Sequence, residues 1–229
     1  MSKKFFIYSV VLKSLIIGFL ISGFTVILVN GIVNMDFSTF TYFTIISNIF
    51  TFITTIFFLI CTIKRYKGFY LRPNKVFFIF RFFSLIAITI TGFIFDFLIV
   101  PIGGIEYLMS YQSVCFHVII PVLAILDFLT CNRTYKIKVS YIFLALIYPV
   151  IYLCFEMALS YSGFRWDNGA SVAPYPFLDY KTNTWFTIGD GKMGVLYWIF
   201  VLIAIFIGVG FLYKLFQFLI KRRYLNTFD

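Results

Sequence analysis

VFFIFRFFSLIAITITGFIFDFLIVP, residues 76–101, decides the fold of this chain. Only Arg81 and Asp96 in it carry charge. Its run Phe77–Phe83 does not alternate between apolar and polar residues, as a membrane β-strand must. A hydrocarbon core about 30 Å thick is crossed by about 20 apolar residues at the helical rise of about 1.5 Å each. The stretch is long enough, and a helix satisfies its backbone polar groups within the one segment, as lipid requires.

Working outward, comparable blocks lie at Tyr8–Val33 and Tyr42–Ile63 before it, and at Val114–Thr130, Val139–Tyr161 and Gly194–Leu219 after it. With Val76–Pro101 they predict six transmembrane helices in one all-α polytopic bundle over residues 1–229. Composition agrees: 62% of residues are hydrophobic, 12% are charged and mean hydropathy is +0.98, whereas soluble domains are about half apolar and about a quarter charged. No repeat, linker or second domain interrupts the pattern. The first block is longer than a signal-peptide core, and no small-residue cleavage site follows it, so it is expected to remain.

The net charge of +10 is distributed by topology. Lys3 and Lys4 precede the first helix. Lys64, Arg65, Lys67, Arg72 and Lys75 join the second to the third, Arg133, Lys136 and Lys138 join the fourth to the fifth, and Lys221, Arg222 and Arg223 follow the sixth. The alternate connections carry Asp36, then Glu106, then a balanced mixture of charges. The positive-inside rule therefore predicts that both termini are cytoplasmic. This pattern argues against nucleic acid as a partner; anionic membrane lipids suit the basic loops. The Asn132–Thr134 sequon falls on the cytoplasmic side and is disregarded. Four cysteines form no CxxC pair; Cys115 and Cys154 are close enough in depth for a disulfide, but free thiols are expected. No sequence feature points to a redox or nucleotide cofactor, and one histidine is too few for a histidine metal cluster.

Ionisable residues within spans are costly and are functional candidates by default. Lys13 and Lys214 lie near cytoplasmic ends and are expected to snorkel. Arg81 and Asp127 each sit about one turn inside that face, and pairing compensates both charges. At the opposite face Asp96, His117 and Glu156 share a depth with Thr44, Ser47 and Asn48, which lie on one face of the second helix. Bland readings exist for each: a membrane Ser or Thr often bonds the carbonyl one turn back, Asn48 can join two helices, and a lone histidine can be a satisfied core residue. The same cluster suits a catalytic pocket, a binding site or a structural knot. No GxSxG, P-loop or HExxH motif is present.

Tyr42-Phe43-Thr44, then His117 with Pro121 and Asp127, then Tyr175-Pro176-Phe177-Leu178-Asp179 occur in this order. The ordered set resembles the androgen-induced membrane protein family, from the second helix to the start of the sixth. The resemblance implies a bacterial member in the cytoplasmic membrane, and an activity like that of the animal members, which hydrolyse fatty acid esters of hydroxy fatty acids with a threonine nucleophile and a histidine. Thr44 and His117 match those positions. Animal members carry a further histidine just before the catalytic one, absent from Ser113–Phe116, and Arg165–Ala173 is longer here. A histidine can take the proton of a threonine hydroxyl. Either Asp96 or Glu156 stands to orient the imidazole, and Asn48 to donate to a developing oxyanion. Arg165 and Lys181, with Lys192, are placed to hold a substrate carboxylate, and Tyr175 of the shared motif to bind substrate. The expected partner is a lipid or fatty-acyl ester. The alternative function is a non-enzymatic solute carrier or lipid-binding protein using the same cluster, although carriers often show internal repeats and this chain shows none.

Overall fold

The computed structural model describes residues 2–69, 73–131, 135–166, 169–189 and 192–225. Arg72, Arg133, the Asn132–Thr134 sequon, Asp167 and Asp190 lie outside them. Among the described residues six helices are long and apolar enough to cross a membrane: α1 (Lys3–Asn34), α2 (Phe43–Tyr66), α3 (Lys75–Ile99), α4 (Tyr111–Cys131), α5 (Val139–Tyr161) and α6 (Val195–Leu225). The chain is an integral multipass membrane protein. Six crossings bring both ends of the chain to one face of the bundle, here called the terminal face. The opposite face carries the long α5–α6 connection, the cap.

The helix ends follow local chemistry. Ser2 and Asn74 cap α1 and α3 by accepting the Phe5 and Phe77 amides. Met35 closes α1 in the left-handed region at φ 51°, returning its amide to Gly31 and Ile32. Three prolines then disturb the interiors. Pro149 cannot bond the Ala145 carbonyl, and α5 breaks into turn at residues 145–146. Pro101 and Pro121 each follow a π-helical turn, Phe95–Ile99 in α3 and Val114–Ile119 in α4. Such turns hold one residue more than the α-helix and concentrate at functional sites.

The most enclosed of the six, α3 packs against α2, α4 and α6. Lipid supplies no hydrophobic drive between helices, so polar and close contacts hold them. A hydroxyl seam joins α2 to α3: Ser47 to Thr91 at 2.7 Å, Thr51 to Ser84 at 2.9 Å and Thr54 to Ser84 at 3.2 Å. Between α3 and α4 the contact is backbone to backbone. A Cβ on Gly92 would stand 2.6 Å from the His117 carbonyl oxygen, so only glycine permits this approach.

Near the terminal face the predicted Arg81–Asp127 pair is present at 2.8 Å, and it has a third member. Lys13 does not snorkel. Its ammonium meets the other Asp127 oxygen at 2.6 Å and donates to Ser9 at 2.8 Å. Arg81 also donates to Thr54 and Thr55, while its Nε is enclosed without a partner. All three charged residues are buried, so two cations share one anion. The correction has a simple cause: inward acceptors on α1 and α4 are nearer to the Lys13 ammonium than bulk water is. All four cysteines are free, and Cys154 is exposed on the outside of the bundle.

Candidate functional site

Thr44 sits in the first turn of α2. The residue that caps this helix, Tyr42, makes no side-chain cap bond, so the leading amides need other acceptors. Two tyrosine hydroxyls supply them. Tyr152 of α5 accepts from the Phe43 amide at 3.0 Å and donates to the Thr41 carbonyl at 3.2 Å. Tyr175 of the cap accepts from the Thr44 amide at 3.4 Å and lies within reach of the Thr44 hydroxyl. The cap is itself anchored here: fully buried Trp166 donates its indole N–H to Thr41 Oγ1 at 2.8 Å. Cap and α5 together thus fix the Thr44 backbone.

His117 lies in the π turn of α4, about 9 Å along the helix from its start. Its ring stacks on Phe95 of the facing π turn, with centroids 3.5 Å apart and planes 10° apart. Nδ1 faces the Thr91 carbonyl at 3.4 Å. A hydrogen on Nδ1 directed there leaves Nε2 with the free lone pair a base requires. The extra residue of each π turn brings these two rings face to face, and Gly92 lets the helices close upon them.

Thr44 and His117 line the same cavity, about 380 Å³ in volume, between α1, the start of α2, α3, α4, α6 and the cap. Among the described residues no hydrogen bond joins them, so proton transfer between them calls for a bridging water or substrate atom. Thr44 also lines a second space, an apolar groove of about 110 Å³ between the start of α2, α3, α5, α6 and the cap. Phe95, Ile99, Tyr175 and Phe177 border both spaces. Thr44 therefore stands where a chamber of mixed lining, with Thr39, Gln112, Ser113 and His117 among its apolar residues, meets a slot lined by Ile90, Ile94, Leu153, Ile199 and Phe206.

The remaining candidates divide. Asn48 is buried on α2, but its Nδ2 donates to the Thr44 carbonyl at 2.8 Å, and its Oδ1 is enclosed without a partner. That bond uses one of the two Nδ2 hydrogens. Asp96 has one enclosed, unpartnered oxygen, and Glu156 has two. Neither bonds to His117; the Thr91 carbonyl holds the imidazole instead. Arg165 turns back to close α5, donating to the Ser160 and Phe164 carbonyls at 2.8 and 2.7 Å. Lys181 is exposed on the cap and lines neither space. Arg81 and Asp127 belong to the separate ion cluster, about 15 Å along α4 from His117. Burial raises the Tyr175 phenol above its ordinary range, so it remains a hydrogen-bond donor at neutral pH.

Residues not singled out in the sequence complete the site. Gln112 lines the cavity while its Oε1 is covered by protein and has no hydrogen-bond partner, and Phe95 and Thr91 hold the histidine. Tyr148, Tyr152 and Ser160 recur every fourth residue with the already noted Glu156 on one face of α5, a polar stripe legible from spacing alone. No family model, curated protein or solved structure matches the chain.

Proposed function

We propose that this protein is an intramembrane ester hydrolase acting on lipid-like esters, with Thr44 as nucleophile and His117 as base. The observation that carries the reading is the position of Thr44 at the junction of the larger, mixed chamber and the apolar groove, with His117 in the chamber wall. An acyl chain in the groove would bring its carbonyl to Thr44 and leave the alcohol half in the chamber. Thr44 Oγ attacks the carbonyl carbon while His117 Nε2 accepts its proton through a bridging water. The Tyr175 phenol donates to the developing oxyanion. Collapse breaks the bond to the alcohol, which takes the proton from His117. Water, deprotonated by the same nitrogen, then attacks the acyl–Thr44 ester and releases the fatty acid. The basic residues near the termini and in the connections on that face support a cytoplasmic location for both termini, an orientation in which the site would lie in the outer leaflet. The resemblance to the androgen-induced family supports the same two residues, a bacterial membrane and an acyl ester substrate.

The test is labelling of the purified protein in detergent with a fluorophosphonate probe. Wild type is expected to be labelled, and folded Thr44→Ala and His117→Ala proteins are expected to lose the label. Retention of labelling in Thr44→Ala overturns the mechanism. A second reading, a carrier or lipid-binding protein, is favoured by Glu156, enclosed with no partner on either oxygen. A folded wild type that takes no label points there.

A further inference from the structure

On the hydrolase reading, we infer that the acyl chain of the substrate enters sideways from the bilayer, through a window between α5 and α6, and that its far end stays in lipid during the reaction. The window is the outer side of the apolar groove. Buried Ile90, Ile94 and Phe206 form the inner wall. The rim is half-exposed Val150 on α5, with part-exposed Ile199 and Ile203 on α6. In an integral membrane protein the exposed surface at this level lies against hydrocarbon, and the groove continues that surface inward to Thr44. Val150 is the midpoint of α5, so the rim reaches the middle of the bilayer, while Thr44 in the first turn of α2 lies near the cap-side boundary. The groove thus spans roughly the depth of one leaflet.

Packing explains why a window stands there. Towards the terminal face α5 and α6 touch, because a Cβ on Gly210 would be 2.6 Å from the Ile142 side chain. On the cap side Phe177 closes against Trp198, with ring centroids 5.6 Å apart. Between these contacts the break at residues 145–146 lets the cap-side half of α5 take its own direction, and Tyr152 ties that half to the start of α2. Of the polar side chains in the groove, Thr91 is bonded to Ser47 and the Ala87 carbonyl, and Tyr152 to Phe43 and Thr41. That leaves the Thr44–Tyr175 end to receive a polar group. An ester lipid of the cap-side leaflet fits without turning, its carbonyl at Thr44 and its chain descending to the midplane. The volume of about 110 Å³ is well below the roughly 300–1,000 Å³ that encloses a drug-sized ligand, so the groove grips only the part of a long chain next to the carbonyl. The remaining methylenes lie in lipid before and after entry and contribute little to selection.

The experiment places the protein in phosphatidylcholine nanodiscs with a small fraction of methyl stearate that carries a diazirine near its carbonyl. Photolysis and peptide mapping then locate the adducts. Thr44→Ala, made so that the ester persists, should be labelled at Ile94 and Phe206 inside the groove as well as on the outer surface. Val150→Trp and Ile203→Trp fill the rim from opposite sides, and each should lower the inner labelling about tenfold. Phe143→Trp, lipid-facing on the same helix but outside the groove, should leave it unchanged. Wild type should hydrolyse the p-nitrophenyl esters of decanoic, myristic and stearic acids, at equal mole fraction in the disc, with kcat/KM values within about threefold, whereas an enclosing pocket separates chains by about 10-fold or more per methylene. Inner labelling reduced by a rim variant, without turnover by wild type, would refute the hydrolase reading and leave the route standing. Labelling confined to the outer surface, or inner labelling that neither folded rim variant reduces, overturns the route. A sharp optimum at one chain length overturns the open-ended groove.

Discussion

Replacing Asp127 by Asn removes the one anion from a buried cluster that also holds Lys13 and Arg81. Shape and hydrogen-bonding capacity are nearly kept, so the loss is electrostatic. Afterwards Arg81 retains Thr54 and Thr55, and Lys13 retains Ser9. Neither cation retains a counter-charge. Removing one partner of a buried ion pair costs about 3–5 kcal/mol, and for a chain of this size each kcal/mol shifts the melting temperature by roughly 2–4 °C. The melting temperature of Asp127→Asn should therefore fall by about 6–20 °C. Lys13→Met is the instructive contrast. It removes the surplus cation, leaves the Arg81–Asp127 pair balanced and strands one carboxylate oxygen, a loss of about 1–3 kcal/mol. Cys61 and Cys115 are buried and free, so in a background with Cys131 and the exposed Cys154 replaced by Ser a thiol-reactive fluorogenic dye reports unfolding in detergent. Asp127→Asn melting within about 2 °C of wild type, or Lys13→Met proving the more damaging of the two, would refute the reasoning.

Gly92→Ala places a Cβ 2.6 Å from a main-chain oxygen that cannot move alone. It is expected to destabilise by about 1–3 kcal/mol and to slow hydrolysis by displacing His117, whereas Gly18→Ala, with open space around it, should be close to neutral in the same thermal assay. Trp166→Phe removes the indole donor that ties the cap to Thr41. Limited proteolysis should then cut the α5–α6 connection faster than in wild type, and an unchanged rate would contradict the anchoring role.

The membrane architecture was legible because hydropathy and length are nearly sufficient for it, and the Arg81–Asp127 pair because two opposite charges shared a depth. Lys13 was misread for a physical reason: depth says how far a side chain is from water but not which acceptors face it across the bundle. The same limit hid the roles of Tyr152 and Tyr175 as caps for α2, because a tyrosine hydroxyl can bond an amide on any neighbouring helix. Arg165 looked available as a loop cation, but a helix end leaves carbonyls unsatisfied, and the nearest guanidinium took them. The two π turns left a partial mark, Pro101 and Pro121 just beyond them. Proline shows that a helix is disturbed but does not say whether it kinks, breaks or widens.

The widened turn of α4 takes up one residue within the length of an ordinary turn. Excising one residue between Val114 and Ile119 would restore ordinary winding and leave the stretches before and after it close to their present settings, so Gln112 and Asp127 would keep their sides of the helix while His117 lost its place opposite Phe95. The same excision below Pro121, where the winding is already regular, would instead turn one part of α4 by about 100° against the other and part Asp127 from Lys13 and Arg81. Anchorage and chemistry thus occupy different lengths of one rod, and only the length that carries the chemistry has a residue to spare.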